Sequence, residues 1–330
     1  MSALVDGYDA AFFDLDGVIY LGPEPVPGAS GVLADVGRRG TRVMYVTNNA
    51  ARPAQVVIDQ LRGLGFAADP GNVLTSAQVA AAMLPKELPA GAKVLVCGSA
   101  NLAGLLEQAG FRIVASADDR PDAVVQGYDP DLSWRRLDEA TLAIQNGARW
   151  YATNDDASRP TDRGLVPGVG GQIAVVATAL GGEPVTFGKP FRPMLDEAVR
   201  RTGAAHPIFV GDRLDTDIEG ANAAGMDSLL VLSGAHGKHD LVRAGAEAQP
   251  TYIGRDVSAL LEPPRVARLR DGRAECGGEV AAVRAGRIEF AEPPAGSSRQ
   301  LDALWAATRL AWLDPSLDTG PALAQLDQVP

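Results

Sequence analysis

Short apolar runs alternate along most of the chain with segments in which apolar residues recur every three or four positions. The first run, Ala10–Leu15, is followed by similar runs at residues 41–46, 185–187, 207–210 and 228–232. Short, mainly apolar runs of this length are typical of strands buried in a parallel sheet, and the intervening spacing is helical. The pattern therefore predicts an α/β fold with a Rossmann-like parallel-sheet core.

A second α/β unit is predicted within the first. Three further apolar runs, at residues 93–97, 123–126 and 149–153, are separated by helical spacing before the first pattern resumes near residue 185. At 330 residues the chain is also longer than one hydrophobic core usually serves. We therefore expect an α/β core that is interrupted by an inserted α/β domain.

Residues 265–330 have a different pattern. Two segments of alternating polarity, 266–275 and 279–290, precede a helical segment that carries Trp305 and Trp312 on its apolar face. The pattern predicts a hairpin followed by a helix, a small α+β extension whose tryptophans pack in its core. The sequence indicates no role for this extension.

Composition limits the classes of partner. The net charge is -11, with 41 acids against 30 bases and no basic run, so nucleic acid is not expected as a partner. Cys97 and Cys276 are far apart and lack metal-ligand spacing, which favours a reducing compartment without disulfides. No secretion signal or membrane-spanning run is recognisable, and we expect a cytoplasmic protein without a membrane partner.

Polar side chains follow the predicted core strands. They are Asp14 and Asp16, Thr47 and Asn48, Lys189, and Asp212 with Asp217. Ligands of open α/β sheets bind at the carboxyl ends of the strands. On an extended strand Asp14 and Asp16 would share a face, and two adjacent carboxylates repel each other. A hard divalent cation beside them is therefore expected.

In this order the strand-end residues resemble the four motifs of the haloacid dehalogenase superfamily. Residues 14–18 (DLDGV) match its DxDx[TV] motif, and residues 211–217 (GDRLDTD) match its acidic loop. Thr47 and Lys189 stand where the family has a Ser or Thr and a Lys. Asp14 and Thr47 are 33 positions apart, whereas Thr47 and Lys189 are 142 apart, which leaves room for a domain only between the latter two.

That placement is similar to the C2-capped (class IIA) branch, which includes para-nitrophenyl, phosphoglycolate, glycerol-phosphate and pyridoxal phosphatases. Residues 16–20 (DGVIY), 46–49 (VTNN) and 151–155 (YATND) resemble its local sequences, and the likeness covers residues 8–261. The resemblance implies a catalytic core at residues 1–84 and 185–262, a C2-type cap that determines substrate specificity at 85–184, and the extension at 265–330.

The resemblance implies a role for each acid. Asp14 would be the nucleophile and form an aspartyl-phosphate, and Asp16 would be the general acid and base. Mg²⁺ would be held by the carboxylates of Asp14 and Asp212 and by the backbone carbonyl of Asp16. Asp217 would orient the waters of the metal or Lys189 rather than ligate directly.

The remaining residues would bind the substrate. The Thr47 hydroxyl, the backbone N–H of Asn48 and the Lys189 ammonium would bind the phosphoryl oxygens. Asn154 and Asp155, in the cap, would contact the leaving group.

Two other motifs do not support a site. Gly188-Lys189 is followed by Pro190 and lacks the upstream glycine of a P-loop. His236 and His239 have no third ligand at matching spacing, which favours a solvated loop.

Together these features predict a Mg²⁺-dependent phosphoric monoester hydrolase. Its partner would be a small phosphorylated metabolite of the glycerol phosphate or phosphoglycolate type. A sugar phosphomutase and a pyridoxal phosphatase of the same superfamily stay open as alternatives. A phospho-aspartate signalling module is a remote one, because receiver domains are far shorter and carry no inserted domain. Assembly into a homo-oligomer through the cap or the extension also stays open.

Overall fold

The computed structural model describes residues 2–161 and 163–330. Its strands are β1 (Ala10–Phe13), β2 (Tyr20–Leu21), β3 (Glu24–Pro25), β4 (Arg42–Thr47), β5 (Val73–Thr75), β6 (Lys93–Cys97), β7 (Arg112–Val114), β8 (Ala123–Gln126), β9 (Arg149–Ala152), β10 (Ser158–Thr161), β11 (Gly164–Pro167), β12 (Val185–Thr186), β13 (Pro207–Gly211), β14 (Asp227–Val231), β15 (Tyr252–Gly254), β16 (Arg268–Arg270), β17 (Arg273–Cys276), β18 (Glu279–Arg284) and β19 (Arg287–Phe290).

Its α-helices are α1 (Ala29–Arg38), α2 (Ala54–Gly63), α3 (Ser76–Glu87), α4 (Ala100–Gln108), α5 (Trp134–Gln145), α6 (Val169–Leu180), α7 (Arg192–Thr202), α8 (Glu219–Ala223), α9 (Lys238–Leu241), α10 (Ser297–Ala311) and α11 (Gly320–Leu323). The predicted α/β class with parallel sheets is confirmed. Within the described residues, none of the helices combines the length and the apolar character needed to cross a membrane.

The chain divides into two compact units. The first unit consists of Met1–Met44 and Thr202–Pro330, and the second of Tyr45–Arg201. The boundary at Met44 falls inside β4, so the strand contributes its first residues to one unit and its last to the other. The division into core, cap and extension stays a prediction.

The first unit is built on parallel strands in the order β15-β14-β13-β1, with the start of β4 beside β1. All four residues of β1 are buried, as its apolar sequence requires. Phe13 lies opposite Val210 of β13, and the Asp14 N–H donates to the Val210 carbonyl at 2.9 Å. This register places Asp14 level with the carboxyl end of β13, where Asp212 follows.

The C-terminal module, residues 265–330, contains more strands than predicted. Strands β16 to β19 form an antiparallel meander joined by two-residue turns at 271–272, 277–278 and 285–286. Both residues of each turn have positive φ, which is the geometry of a type I′ turn. The expectation of a single hairpin was wrong, because each alternating segment on either side of 277–278 itself folds back at an internal turn.

The C-terminal module shares a hydrophobic core with the parallel sheet of the first unit. Trp305 of α10 is 1% exposed and belongs to one buried cluster with Leu230 of β14 and Ile253 of β15. Ile218, which follows the acidic loop, is in the same cluster. The predicted packing of the tryptophan face is confirmed for Trp305, and the module is continuous with the sheet that carries Asp14.

The second unit contains a parallel sheet in the order β12-β9-β8-β6-β7. The predicted strands at 93–97 and 123–126 match β6 and β8 residue for residue. The strand predicted at 185–187 was expected to belong to the core sheet. Its counterpart β12 instead pairs with β9 in this sheet, with Val185 opposite Tyr151. The end of β4 pairs separately with β5.

The turn at 285–286 generates a stability prediction. Ala285 has φ of 47°, a left-handed conformation that alanine adopts at a cost and asparagine tolerates well. We expect Ala285→Asn to raise the free energy of unfolding by about 0.5–1 kcal/mol, measured by urea denaturation. Ala282→Asn, within β18, is the control and is expected to lower it, since asparagine disfavours strands. An unchanged or lowered value for Ala285→Asn would contradict the assignment of the turn.

Candidate active site

Three carboxylates of the first unit converge at the carboxyl ends of β1 and β13. Asp14, Asp212 and Asp217 each place an oxygen within 4.8 Å of the others. Asp14 is half-buried, Asp212 is 3% exposed and Asp217 is fully buried. Buried like charges at this separation require a cation, and an all-oxygen donor set is the one that hard divalent cations prefer. The residues therefore fit a divalent cation.

Two glycines confine the Asp212 carboxylate. A Cβ on Gly17 would lie 2.2 Å from Asp212 Oδ2, and a Cβ on Gly234 would lie 2.0 Å from the same oxygen. The Ala235 N–H donates to that oxygen at 2.6 Å. The position of the carboxylate thus depends on two residues without side chains. Gly17 belongs to a recognised motif, whereas no sequence signal distinguished Gly234 or Ala235.

Asp217 holds the loop that carries Asp212. Its Oδ2 accepts the backbone N–H groups of Asp212 and Arg213, both at 3.1 Å. A Cβ on Gly211 would lie 2.2 Å from the Asp217 Cβ, so this loop also depends on a close approach. Residues 214–218 form a short π-helical turn that positions Asp217 beneath the loop. One oxygen of Asp217 is therefore committed to the backbone.

Asp14 and Asp16 have different environments. Because β1 ends at Phe13, two residues earlier than predicted, strand alternation does not place them on one face. The chain turns instead, and the Gly17 N–H donates to the Tyr20 carbonyl at 2.8 Å. Asp14 is half-buried and Asp16 is exposed. An exposed carboxyl group can exchange protons with water and with a leaving group.

His236 takes part in the structure around Asp212, contrary to the expectation of a solvated loop. Its Nδ1 accepts the Leu214 N–H at 2.8 Å, and its backbone N–H donates to the Asp212 carbonyl at 3.2 Å. His239 is exposed, as expected. The sequence did not indicate His236, because its partners are backbone groups more than twenty positions away.

In the second unit, one asparagine links several predicted substrate-binding residues. Asn48 Oδ1 accepts the Lys189 N–H at 2.9 Å, and Asn48 Nδ2 donates to the Lys189 carbonyl at 3.0 Å. The same amide donates to Asp156 Oδ2 at 2.9 Å, and Asn154 Nδ2 donates to that oxygen at 2.6 Å. Asp156 was not predicted as a site residue, although it follows Asn154 and Asp155 directly.

The Lys189 and Thr47 side chains of this unit are buried. Lys189 is 2% exposed and Thr47 is 5% exposed, and Thr47 Oγ1 accepts the Asn49 N–H at 3.2 Å. Asp155 is half-buried. Gly188 is needed for close packing, because a Cβ there would lie 2.7 Å from Asn48 Oδ1. An ammonium group so far from water needs anionic or carbonyl neighbours, as a phosphate-binding lysine would have.

The two cysteines are excluded as nucleophiles. Both are buried, and burial raises the pKa of Cys97 and of Cys276 to about 12 each. A thiol with such a pKa carries almost no thiolate at neutral pH. Neither cysteine is therefore a candidate nucleophile, in contrast to the carboxylates of this site.

Comparison with known proteins places the chain in a family. A model described as haloacid dehalogenase-like hydrolase matches residues 11–112, and one described as HAD-hydrolase-like matches 186–260. D-glycerol 3-phosphate phosphatase of Mycobacterium tuberculosis is 45% identical over 260 residues, which are 79% of this chain and 73% of that protein. The chain belongs to the haloacid dehalogenase-like hydrolases. The predicted family is thus confirmed.

Other relatives of this hydrolase are also named as phosphatases. An acid sugar phosphatase of Staphylococcus aureus is 34% identical over 256 residues, 77% of this chain and 97% of that protein. The crystal structure of glycerol phosphate phosphatase from M. tuberculosis in complex with magnesium superposes with a TM-score of 0.88 at 38% identity, covering 99% of this chain and 98% of that one.

A p-nitrophenyl phosphatase from Archaeoglobus fulgidus gives a TM-score of 0.71 at 27% identity, covering 98% of that chain but 77% of this hydrolase. More than a fifth of the present chain therefore has no counterpart in that structure. The M. tuberculosis phosphatase structure, by contrast, matches almost all of it.

The confinement of Asp212 generates a second prediction. We expect Gly17→Ala to weaken binding of a divalent cation at least about tenfold, because the new Cβ would displace the Asp212 carboxylate. Titration calorimetry on substrate-free protein measures the Kd.

Gly22→Ala is the matched control. Gly22 also has positive φ, at 59°, but a Cβ there meets no atom within 4 Å. The control therefore carries similar backbone strain without the collision, and its Kd is expected to match that of the wild type. Equal Kd values for both variants would contradict the prediction.

Proposed function

We propose that this hydrolase is a magnesium-dependent phosphatase that acts on a small phosphorylated metabolite of the glycerol phosphate type. The observation that carries the proposal is the convergence of Asp14, Asp212 and Asp217 within 4.8 Å. Relatives of this hydrolase are named as phosphatases, one of them specifically for D-glycerol 3-phosphate. Phosphate monoesters are among the slowest biological substrates to hydrolyse unaided, so a preorganised site is necessary.

The acids divide the chemistry between them. Asp14 attacks phosphorus, and the bond to the leaving oxygen breaks as an aspartyl-phosphate forms. Asp16 donates its proton to that oxygen and later removes one from the water that hydrolyses the intermediate. Its exposed position suits both transfers. Mg²⁺ held by Asp14, Asp212 and the Asp16 carbonyl would supply positive charge against the phosphoryl oxygens. Asp217 keeps the Asp212 loop in place.

We assign phosphate binding to residues of the second unit. Lys189 provides positive charge, and the Thr47 hydroxyl and the Asn48 N–H donate hydrogen bonds to phosphoryl oxygens. The Asn48 side chain is already engaged with Lys189 and Asp156, which leaves its backbone N–H for this role. Asn154 and Asp155 are assigned to the leaving group.

The charge of the loop at residues 154–156 favours a polyol phosphate over phosphoglycolate. Asp155 and Asp156 are adjacent acids beside Asn154, and a carboxylate on the leaving group would be repelled by them. Hydroxyl groups, in contrast, can donate to carboxylate oxygens. A cytoplasmic location, a homo-oligomer and the absence of a nucleic-acid partner stay predictions.

Replacing the nucleophile tests the mechanism. We expect Asp14→Asn to reduce kcat for p-nitrophenyl phosphate by roughly a thousandfold or more, because an amide cannot attack phosphorus. Asp131→Asn makes the same chemical change at an exposed site and is expected to keep wild-type kcat. Removing Mg²⁺ with EDTA should abolish turnover, and adding it back should restore it. Turnover by Asp14→Asn near the wild-type rate would overturn the proposal.

A substrate panel tests specificity. We expect kcat/KM for glycerol 3-phosphate to exceed that for phosphoglycolate at least about tenfold, with sugar phosphates and pyridoxal phosphate as further arms. Asp155→Asn should reduce the ratio of the two kcat/KM values several-fold, because it removes one charge that repels phosphoglycolate. Release of inorganic phosphate is the readout, since a phosphomutase would return the phosphoryl group to the sugar. A preference for phosphoglycolate would contradict the charge argument.

A further inference from the structure

A short loop covers the buried Asp212. This cover loop, residues 233–238, places the Ala235 N–H on Asp212 Oδ2 and the His236 N–H on the Asp212 carbonyl. Ser233 Oγ, at its start, donates to the Gly17 carbonyl at 2.7 Å. Gly234 and Ala235 are exposed to solvent. These two residues, one of them a glycine, have little side-chain packing of their own to keep the Ala235 N–H in place.

The far end of the cover loop is tied to the C-terminal module. Lys238 Nζ donates to the carbonyls of Leu326 and Val329, at 2.5 and 2.6 Å. The Lys238 N–H donates to the Pro330 oxygen at 2.8 Å. A Cβ on Gly237 would lie 3.0 Å from that same oxygen, so the two segments are in close contact. Charge-assisted hydrogen bonds of this kind are among the stronger ones in proteins.

The segment that receives Lys238 is itself firmly anchored. Leu326 is fully buried and Val329 is 5% exposed, both in the core cluster that contains α10. Gln300 of α10 is 3% exposed; its Nε2 donates to Asp327 Oδ1 at 2.6 Å and its Oε1 accepts the Gln328 N–H at 2.7 Å. Residues 326–330 are thus anchored to α10 by buried side chains and by hydrogen bonds.

We propose that Lys238 is a positioning residue for the metal site, through which the C-terminal module holds the cover loop against Asp212. The inference rests on the proposed function, since it concerns the cation that Asp212 would bind. Lys238 itself is neither a metal ligand nor a substrate contact. It determines how well the Ala235 N–H keeps the Asp212 carboxylate oriented. Groups that orient metal ligands in this way typically change metal affinity by ten- to a hundredfold when they are removed.

The test compares Lys238→Met with Lys238→Arg and Lys93→Met. Lys238→Met removes both bonds to the carbonyls of residues 326 and 329, whereas arginine keeps donors at the same place. Lys93 Nζ donates to the Asp119 carbonyl elsewhere in the chain, so Lys93→Met is a matched loss of a lysine–carbonyl bond. Titration calorimetry with MgCl₂ on the substrate-free, EDTA-treated proteins gives the Kd.

We expect Lys238→Met to raise the Mg²⁺ Kd about tenfold, with kcat returning to within about twofold of wild type at saturating Mg²⁺. Lys238→Arg should recover most of the affinity, and Lys93→Met should leave it unchanged. Hydrogen exchange at residues 233–237 of the metal-free protein should accelerate in Lys238→Met alone. Thermal unfolding without metal shows that each variant is folded.

Gly237→Ala is a second variant that disturbs the contact between the cover loop and the C-terminal module, and it serves if Lys238→Met does not fold. Its φ of -110° accepts alanine, so the added Cβ acts only by pressing on the Pro330 oxygen. It too should raise the Kd. A Kd unchanged in the folded variants would overturn this inference alone. Failure of the wild-type protein to bind Mg²⁺ would overturn the proposed function together with it.

Discussion

The mutual repulsion of three carboxylates within 4.8 Å is the constraint on which the rest of the first unit depends. Each acid is held in place by different contacts. The β1–β13 register positions Asp14, backbone N–H groups hold Asp217, and two glycines with the Ala235 N–H confine Asp212. Without these contacts the acids would move apart or take up protons. The fold therefore keeps three negative charges close together, and a cation is needed to offset their repulsion.

The second unit contains a buried positive charge, that of Lys189. Lys189 is fixed through its backbone, whose N–H donates to Asn48 Oδ1 and whose carbonyl accepts from Asn48 Nδ2. Asp156 accepts from Asn48 and from Asn154, which joins the end of β4 to the loop after β9. An amide network of this kind holds the backbone from which the long Lys189 side chain extends.

The sequence alone predicts the parallel α/β fold and the acids Asp14 and Asp212, because strand ends and motif spacing are local signals. It predicts neither Gly234 nor Lys238, since their partners are distant in the chain and are mostly backbone atoms. The meander of the C-terminal module was predictable in part: Asp271-Gly272 is a favoured type I′ pair, while Ala285-Gly286 is not. The argument that Asp14 and Asp16 share a face assumed a strand to Leu15, whereas β1 ends at Phe13, so the shared face stays a prediction.

The common core of α10, β14 and β15 has a consequence for how the protein can be divided. Although the sequence changes character at residue 265, the hydrophobic surface of the sheet is completed only by residues that come after it. A chain ending there would expose Leu241 and Val242, both now buried, and would tend to aggregate. The end of the recognisable family sequence is therefore not the end of the folding unit, and the two segments should unfold in one cooperative transition.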